Sequence, residues 1–410
     1  MNASEPPHIG RRAVLAGSGA AVAALVLGGR ALFSSSASPS APSASSASPS
    51  ASSSASSSGS LSAEPAAYPR AAAVPKGLTE RQLAGQRVIY SYPGHTPPAA
   101  LLKKISAGEV AGVIFFGENI TSAAQIAAVV KQLEKANRSS PVRLPLLLMT
   151  DQEGGTIRRL PGAPALSEKQ IGLAADPVAA AKTAGTGAGK NLAAAGLNLN
   201  LAPVLDVYRT AGDFTDHAQR SYGRNAAQVG KLGAAFVTAQ QHVAVAATAK
   251  HFPGLGAAGT HQNTDLGPVT LTQSLTTLRN VDEAPYKQAV AAGTRLVMLS
   301  WAVYPALDAK HPAGLSAAVV RELRSHVGFK GVTITDALEA KAISHTLTTG
   351  QRAVLAAGAG MDLLLCSSRQ VSQGESAVTA LTTALHNKTL PTPAFHDAVS
   401  RLTALRTALR

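Results

Sequence analysis

Three places in this chain carry carboxylates, an ammonium or an imidazole directly after a short apolar run. They are Asp151-Gln152-Glu153-Gly154-Gly155, Lys250-His251-Phe252-Pro253-Gly254 and Thr335-Asp336. Such groups can move protons, attack an electrophilic carbon, or hold a polar ligand by charge-assisted hydrogen bonds. Taken singly, each has a plain structural use, because a carboxylate at a strand end caps the next helix and a lysine or histidine pairs with it. Three such groups after equivalent runs, two of them leading into Gly-rich turns, point instead to one shared face.

The elements that must bring them together repeat one pattern, a short apolar run followed by an Ala-rich stretch of helical period. Strands are expected at Arg87–Tyr92, Ala111–Phe116, Leu144–Thr150, Leu197–Ala202, Ala246–His251, Arg295–Ser300, Gly331–Thr335 and Met361–Cys366. Between them Ser122–Asn137, Pro177–Ala195, Ala226–Val245, Leu278–Ala292, Ala317–Val327 and Gly350–Ala357 read as amphipathic helices. Continuously apolar strands alternating with helices imply a buried parallel sheet, and eight units imply an α/β fold of the (β/α)8 TIM-barrel type. The last helices, Val371–His386 and Pro393–Leu409, are expected to close the outer ring. Catalytic groups of such a barrel sit at the C-terminal ends of its strands, where the three polar clusters fall.

Composition narrows the rest. The 410 residues are 45% hydrophobic, enough to bury a core, and only 4% aromatic, which argues against a stacked-aromatic platform for nucleic acid. The single Cys366 excludes an intrachain disulfide framework and any zinc site built from several thiolates. Arg11 and Arg12 precede the uncharged run Ala13–Gly29, shorter than the ~20 residues of a membrane span, so residues 1–33 read as a twin-arginine-type signal or N-terminal anchor. Residues 34–60 are all Ser, Ala, Pro or Gly, 17 of them Ser, and 34–73 read as a disordered linker to one domain at 74–410. The expected location is therefore exported, secreted or held at the cell envelope. The +14 net charge is scattered over the chain rather than blocked, and a nucleic-acid partner is not expected of an exported protein.

The segments LPLLLMTDQEGGTIRRLPG (Leu144–Gly162), NLNLAPVLDV (Asn198–Val207), RSYG (Arg220–Gly223), KHFPG (Lys250–Gly254), VMLSWAVYP (Val297–Pro305) and GFKGVTITDALEAKAI (Gly328–Ile343) resemble the barrel of glycoside hydrolase family 3. The resemblance is greatest to its bacterial single-domain β-N-acetylhexosaminidases. It implies retaining hydrolysis through a covalent glycosyl-enzyme intermediate, with Asp336 as nucleophile. It further implies that Asp151, Arg220, Lys250 and His251 hold the hydroxyls of the terminal sugar and that Met298 lines the same pocket. No metal or organic cofactor is implied, and the expected partner is an oligosaccharide or cell-wall glycan fragment.

After KHFPG the chain departs from the family pattern. The family's Asp-x-His acid/base dyad falls by equal spacing on His261 and Asn263, and Asn cannot donate a proton at neutral pH. Two residues of the loop could take the task, beside a group elsewhere in the chain or no acid at all. His261 can itself be the acid/base with Asp265 orienting it, or Asp265 can be the acid with its pKa raised by burial. Glu153 is expected to brace the Gly154-Gly155 turn or pair with a basic neighbour, and Asp206 to brace the barrel end. The reading is an exo-acting glycosidase for terminal β-linked N-acetylglucosamine or a similar sugar. The alternatives are a sugar-binding barrel with a decayed loop, or a related β-glucosidase or phosphorylase.

Overall fold

The computed structural model describes residues 72–409, so the expected signal segment and all but the last two residues of the expected linker lie outside the described residues. Of the chain's two units, Ser62–Arg410 carries the barrel. Its strands are β1 (Val88–Tyr90), β2 (Gly112–Ile114), β3 (Leu147–Thr150), β4 (Leu199–Asn200), β5 (Ala246–Phe252), β6 (Leu296–Leu299), β7 (Val332–Ala337) and β8 (Leu363–Leu365). They pair in parallel and in chain order, and β8 joins β1 to close the barrel. The (β/α)8 expectation therefore holds, and every strand begins within one of the eight apolar runs, β5 running on by one residue and β7 by two.

The strands are buried on both faces because successive side chains alternate between two apolar environments. Ile89, Leu147, Met149, Leu296, Met298 and Leu363 point into the barrel, while Val88, Tyr90, Leu148, Val297 and Leu364 pack outward under the helices. Those helices are α1 (Ala99–Ser106), α2 (Ala123–Asn137), α3 (Pro177–Ala194), α4 (Ala226–Gln241), α5 (Ala284–Ala291), α6 (Ala317–Arg321), α7 (Thr349–Ala359), α8 (Val371–His386) and α9 (Thr392–Thr407). Several have legible starts: the Ser122, Asp176 and Asn225 side chains accept hydrogen bonds from the first-turn amides of α2, α3 and α4. Helix α1 has no such start, since Pro98 stands at its N-cap without a side-chain bond, and periodicity alone did not separate its eight residues from a loop.

Two departures are instructive. The stretches expected as continuous helices at Leu278–Ala292 and Ala317–Val327 contain π-helical turns, at Leu278–Asp282 before α5 and at Glu322–His326 after α6. Helix α9 does not simply extend the outer ring. Its Leu402 and Leu405 join the barrel interior, and its buried Arg406 donates to the carbonyls of Leu144 (3.2 Å) and Pro145 (2.7 Å) ahead of β3 and to Gln86 ahead of β1. The helix thus closes the N-terminal end of the barrel, and burial pushes the Arg406 guanidinium down to about 9.

The same end is tied by Asp362, which is fully buried just before β8. Its Oδ2 accepts from Arg324 Nη2 at 2.7 Å and the Thr333 amide at 2.9 Å, and its Oδ1 accepts from Arg401 Nε at 3.0 Å and Nη2 at 2.7 Å. Burial would raise this carboxyl, but the two guanidiniums outweigh it and hold it below the usual range. Asp362→Ala is expected to cost about 3 kcal/mol, because removing one member of a buried ion network strands its partners. Urea unfolding measures this, and a loss under 1 kcal/mol would mean that the network relaxes without cost.

Candidate active site

The parallel barrel delivers the C-terminal ends of β3, β5 and β7 to one mouth, and the three polar clusters lie there. Asp151 follows β3 directly. Glu153 sits in a small hairpin, Gln152–Gly154 with Ile157–Arg158, whose shape is held by the buried Gln152 side chain bonding Leu160 and Ala163. Gly154, at φ 124°, lies so close to the Leu166 carbonyl that a Cβ there would come within 2.1 Å of its oxygen. Only glycine allows that chain crossing.

Glu153 is the hub. Its Oε2 accepts from Arg220 Nε at 2.8 Å, and its Oε1 accepts from Arg220 Nη2 at 2.8 Å and from Lys250 Nζ at 2.7 Å. Lys250 Nζ also donates to Asp151 Oδ1 at 2.7 Å. Burial would push the Glu153 carboxyl up, but Arg220 and Lys250 outweigh it and hold it well below the usual carboxylate range. Burial would likewise lower both cations, and the facing carboxylates keep Arg220 and Lys250 above their ordinary values. The site is thus a fixed, charged frame at working pH.

The frame leaves specific valences open. Among the described residues, Asp151 Oδ2, Arg220 Nη1 and one Lys250 N–H have no partner, and these are the groups a sugar's hydroxyls can meet. His251 is oriented from behind. Its Nδ1 lies 2.8 Å from Asp206 Oδ2 and its Nε2 lies 3.4 Å from Arg220 Nη2. Asp206, fully buried, also accepts the amides of His251 (3.3 Å) and Leu255 (2.7 Å), so it moulds the turn after β5. Met298 lies in the apolar interior in register with Ile334, two residues before Asp336, and contributes a floor rather than a polar contact.

Asp336 stands at the end of β7, with its Oδ1 accepting the Ala337 amide at 2.7 Å. The buried Trp301 donates Nε1 to the Ala337 carbonyl at 2.8 Å and so braces the backbone beside it. Gly314 leaves room for the indole, since a Cβ there would come within 2.5 Å of the ring.

The loop after β5 separates the two acid/base possibilities. It is less free than its glycines suggest, because Gly256 packs on the Val207 backbone and Ala258 accepts the Phe214 amide at 2.9 Å. Asn263 accepts the Asp265 amide at 2.8 Å, and the carbonyls of Thr264 and Asp265 accept the amides of Ala342 and Lys341 beyond β7. Asp265 is thereby drawn toward Asp336. Asp265, like His261, stands exposed on this loop; partial desolvation of its carboxyl, and then the Asp336 charge, push it above the usual range, while His251 and Arg220 draw it back. His261 stays exposed, with no side-chain partner among the described residues.

Glu168 was not legible as a site residue. In the sequence it is the first residue of a helix behind a Ser167/Gln170 capping box. In the structure its buried Oε1 accepts the Val204 amide at 2.8 Å, and burial together with the neighbouring Glu153 charge pushes its carboxyl well above the usual range. It lies buried beside Glu153, behind the frame.

A family model described as Glycosyl hydrolase family 3 N terminal domain matches residues 82–405. An Arthroderma benhamiae protein named "Uncharacterized secreted glycosyl hydrolase" is 47% identical over 329 residues, 80% of this chain and 93% of that protein. The solved glycoside hydrolase family 3 β-N-acetylglucosaminidase of Paenibacillus sp. str. FPU-7 is 33% identical with a TM-score of 0.76, over 81% of this chain and 63% of that one. This chain therefore spans less than two thirds of the Paenibacillus protein. The β-N-acetylhexosaminidase of Beutenbergia cavernae is 31% identical with a TM-score of 0.73, over 80% of this chain and 99% of that one.

Glu153→Gln removes the charge that holds Arg220 and Lys250, and a stability loss of about 3 kcal/mol at neutral pH is expected. Because the folded pKa of Glu153 is depressed, its contribution is complete above the unfolded value of about 4.3 and fades as pH falls below it. Denaturant unfolding from pH 7 to 3 should show the wild type losing its advantage over the variant in acid. A difference independent of pH would remove Glu153 as an ionised anchor.

Proposed function

The chain belongs to glycosyl hydrolase family 3 and is a glycoside hydrolase, and from that premise we propose that it removes terminal β-linked N-acetylglucosamine, or a closely similar sugar, from oligosaccharides or cell-wall fragments. The observation that carries the reading is the charged frame of Asp151, Glu153, Arg220, Lys250 and His251 at the mouth where Asp336 stands at the end of β7, with Asp265 near enough for the Asp336 charge to act on it. The Asp336 carboxylate attacks the anomeric carbon as the glycosidic bond breaks, forming a glycosyl–aspartate ester. Asp265 gives its proton to the departing oxygen. Water then attacks the same carbon, passes a proton to the Asp265 carboxylate, and releases Asp336.

Asp265 suits the acid role because its raised pKa keeps a proton available nearer neutrality. His261, as exposed as Asp265, has no carboxylate partner among the described residues to orient it. The open valences of Asp151, Arg220 and Lys250 serve adjacent hydroxyls of one sugar ring, which fits exo action. Export is supported by the Arg11-Arg12 pair ahead of an apolar run and by the relative named as secreted. No helix among the described residues is long and apolar enough to cross a membrane.

Hydrolysis of aryl β-N-acetylglucosaminides by Asp336→Asn, Asp265→Asn and His261→Ala tests the assignments. Asp336→Asn is expected to abolish turnover. Asp265→Asn should lower kcat about 10²–10⁴-fold with a poor leaving group and far less with an activated one. It should also erase the fall of kcat/KM at high pH, since the acid works only below its pKa. His261→Ala should stay within about threefold of wild type, and the opposite pattern would make His261 the acid.

A further inference from the structure

Outside the mouth, one cluster of polar side chains is built without the partners that burial demands. Glu283, between the π turn Leu278–Asp282 and α5, is fully buried, and neither of its carboxylate oxygens has a hydrogen bond. His326, at the end of the π turn that follows α6, has a buried Nε2 that is likewise unpartnered. Glu322 opens the same turn, and one ligand atom from each of the three residues lies within 4.8 Å of the others. A buried carboxylate with both oxygens unsatisfied costs several kcal/mol unless something compensates it.

We propose that Glu283, Glu322 and His326 form a binding site for a divalent transition ion of the zinc class, one that clamps the helix before β6 to the helix before β7. One imidazole nitrogen and two carboxylates are a suitable donor set for zinc, with water in the fourth position. Magnesium and calcium want more oxygen ligands than this cluster supplies. Bonds of about 2.0–2.1 Å require the ligand atoms to close to roughly 3.4 Å, a change within reach of side-chain rotation. The π turns serve this geometry: the wide turn keeps Glu322 and His326 on one helix face, opposite Glu283.

The surrounding charges set limits on the affinity. Arg279 donates Nε and Nη2 to the two Glu322 oxygens at 2.7 and 3.1 Å, which orients that carboxylate and leaves each oxygen a further lone pair. Lys287 acts on both Glu283 and His326. A cation bound here supplies the counter-charge that the two unpartnered Glu283 oxygens lack. The ion's place is on the outer helices, and its role is to stabilise the barrel wall.

The test is titration of ZnCl2 into the chelator-treated full chain, without a polyhistidine tag, by calorimetry and thermal denaturation, with MgCl2 as control. One equivalent of zinc should bind and raise Tm by a few degrees, and magnesium should not. His326→Ala and Glu283→Gln should each weaken that binding about tenfold or more while keeping the wild-type circular dichroism. Glu283→Gln alone also removes a buried charge, so His326→Ala carries the test if that variant misfolds. Absence of stoichiometric zinc binding, or zinc binding unchanged in both variants, would overturn the site. The first result would leave Glu283 as a protonated acid held beside His326.

Discussion

The mouth of this barrel depends on one carboxylate kept ionised where water does not reach it. Glu153 is almost completely buried, and a lone charge there would protonate or unfold its surroundings. It survives because two segments distant in sequence converge on its hairpin: the segment carrying Arg220 between β4 and α4, and Lys250 within β5. Each cation in turn could not be buried without Glu153. The arrangement is therefore all or nothing, and it turns three flexible polar side chains into fixed donors and acceptors aimed at the space above the barrel.

Around that frame the remaining groups are held by backbone contacts rather than by charge. Asp206 shapes the turn that carries His251, Trp301 holds the carbonyl beside Asp336, and Asn263 caps the turn that presents Asp265. Glu168 lies buried beside Glu153, and burial with the Glu153 charge pushes its carboxyl well above the usual range. Asp336 stands at a strand end, and Asp265 stands exposed on a loop, where the Asp336 charge raises its carboxyl.

The opposite end of the barrel is sealed by different means. Asp362 collects two guanidiniums, Arg324 from the π turn after α6 and Arg401 from the middle of α9, and α9 lays Leu402 and Leu405 across the interior. Stability is thus concentrated at the floor and on the outer helices, which leaves the mouth free to carry polar groups that serve a ligand. This division is the usual economy of (β/α)8 folds.

What the sequence by itself determined is the barrel and the strand ends. Eight apolar runs alternating with helical stretches admit few other parallel arrangements, and polar groups immediately after such runs have to emerge at one face. Asp151, Lys250, His251 and Asp336 were legible for that reason, Arg220 only through the resemblance of RSYG, and the pairing of Glu153 with a basic neighbour was within reach. The course of the loop carrying His261 and Asp265 was not, because it depends on contacts with Val207, Phe214 and Ala342. The plugging helix, the buried Glu168 and the π turns around Glu283 and His326 belong with that loop. Each depends on which distant groups share a buried volume, and local propensity carries no record of that.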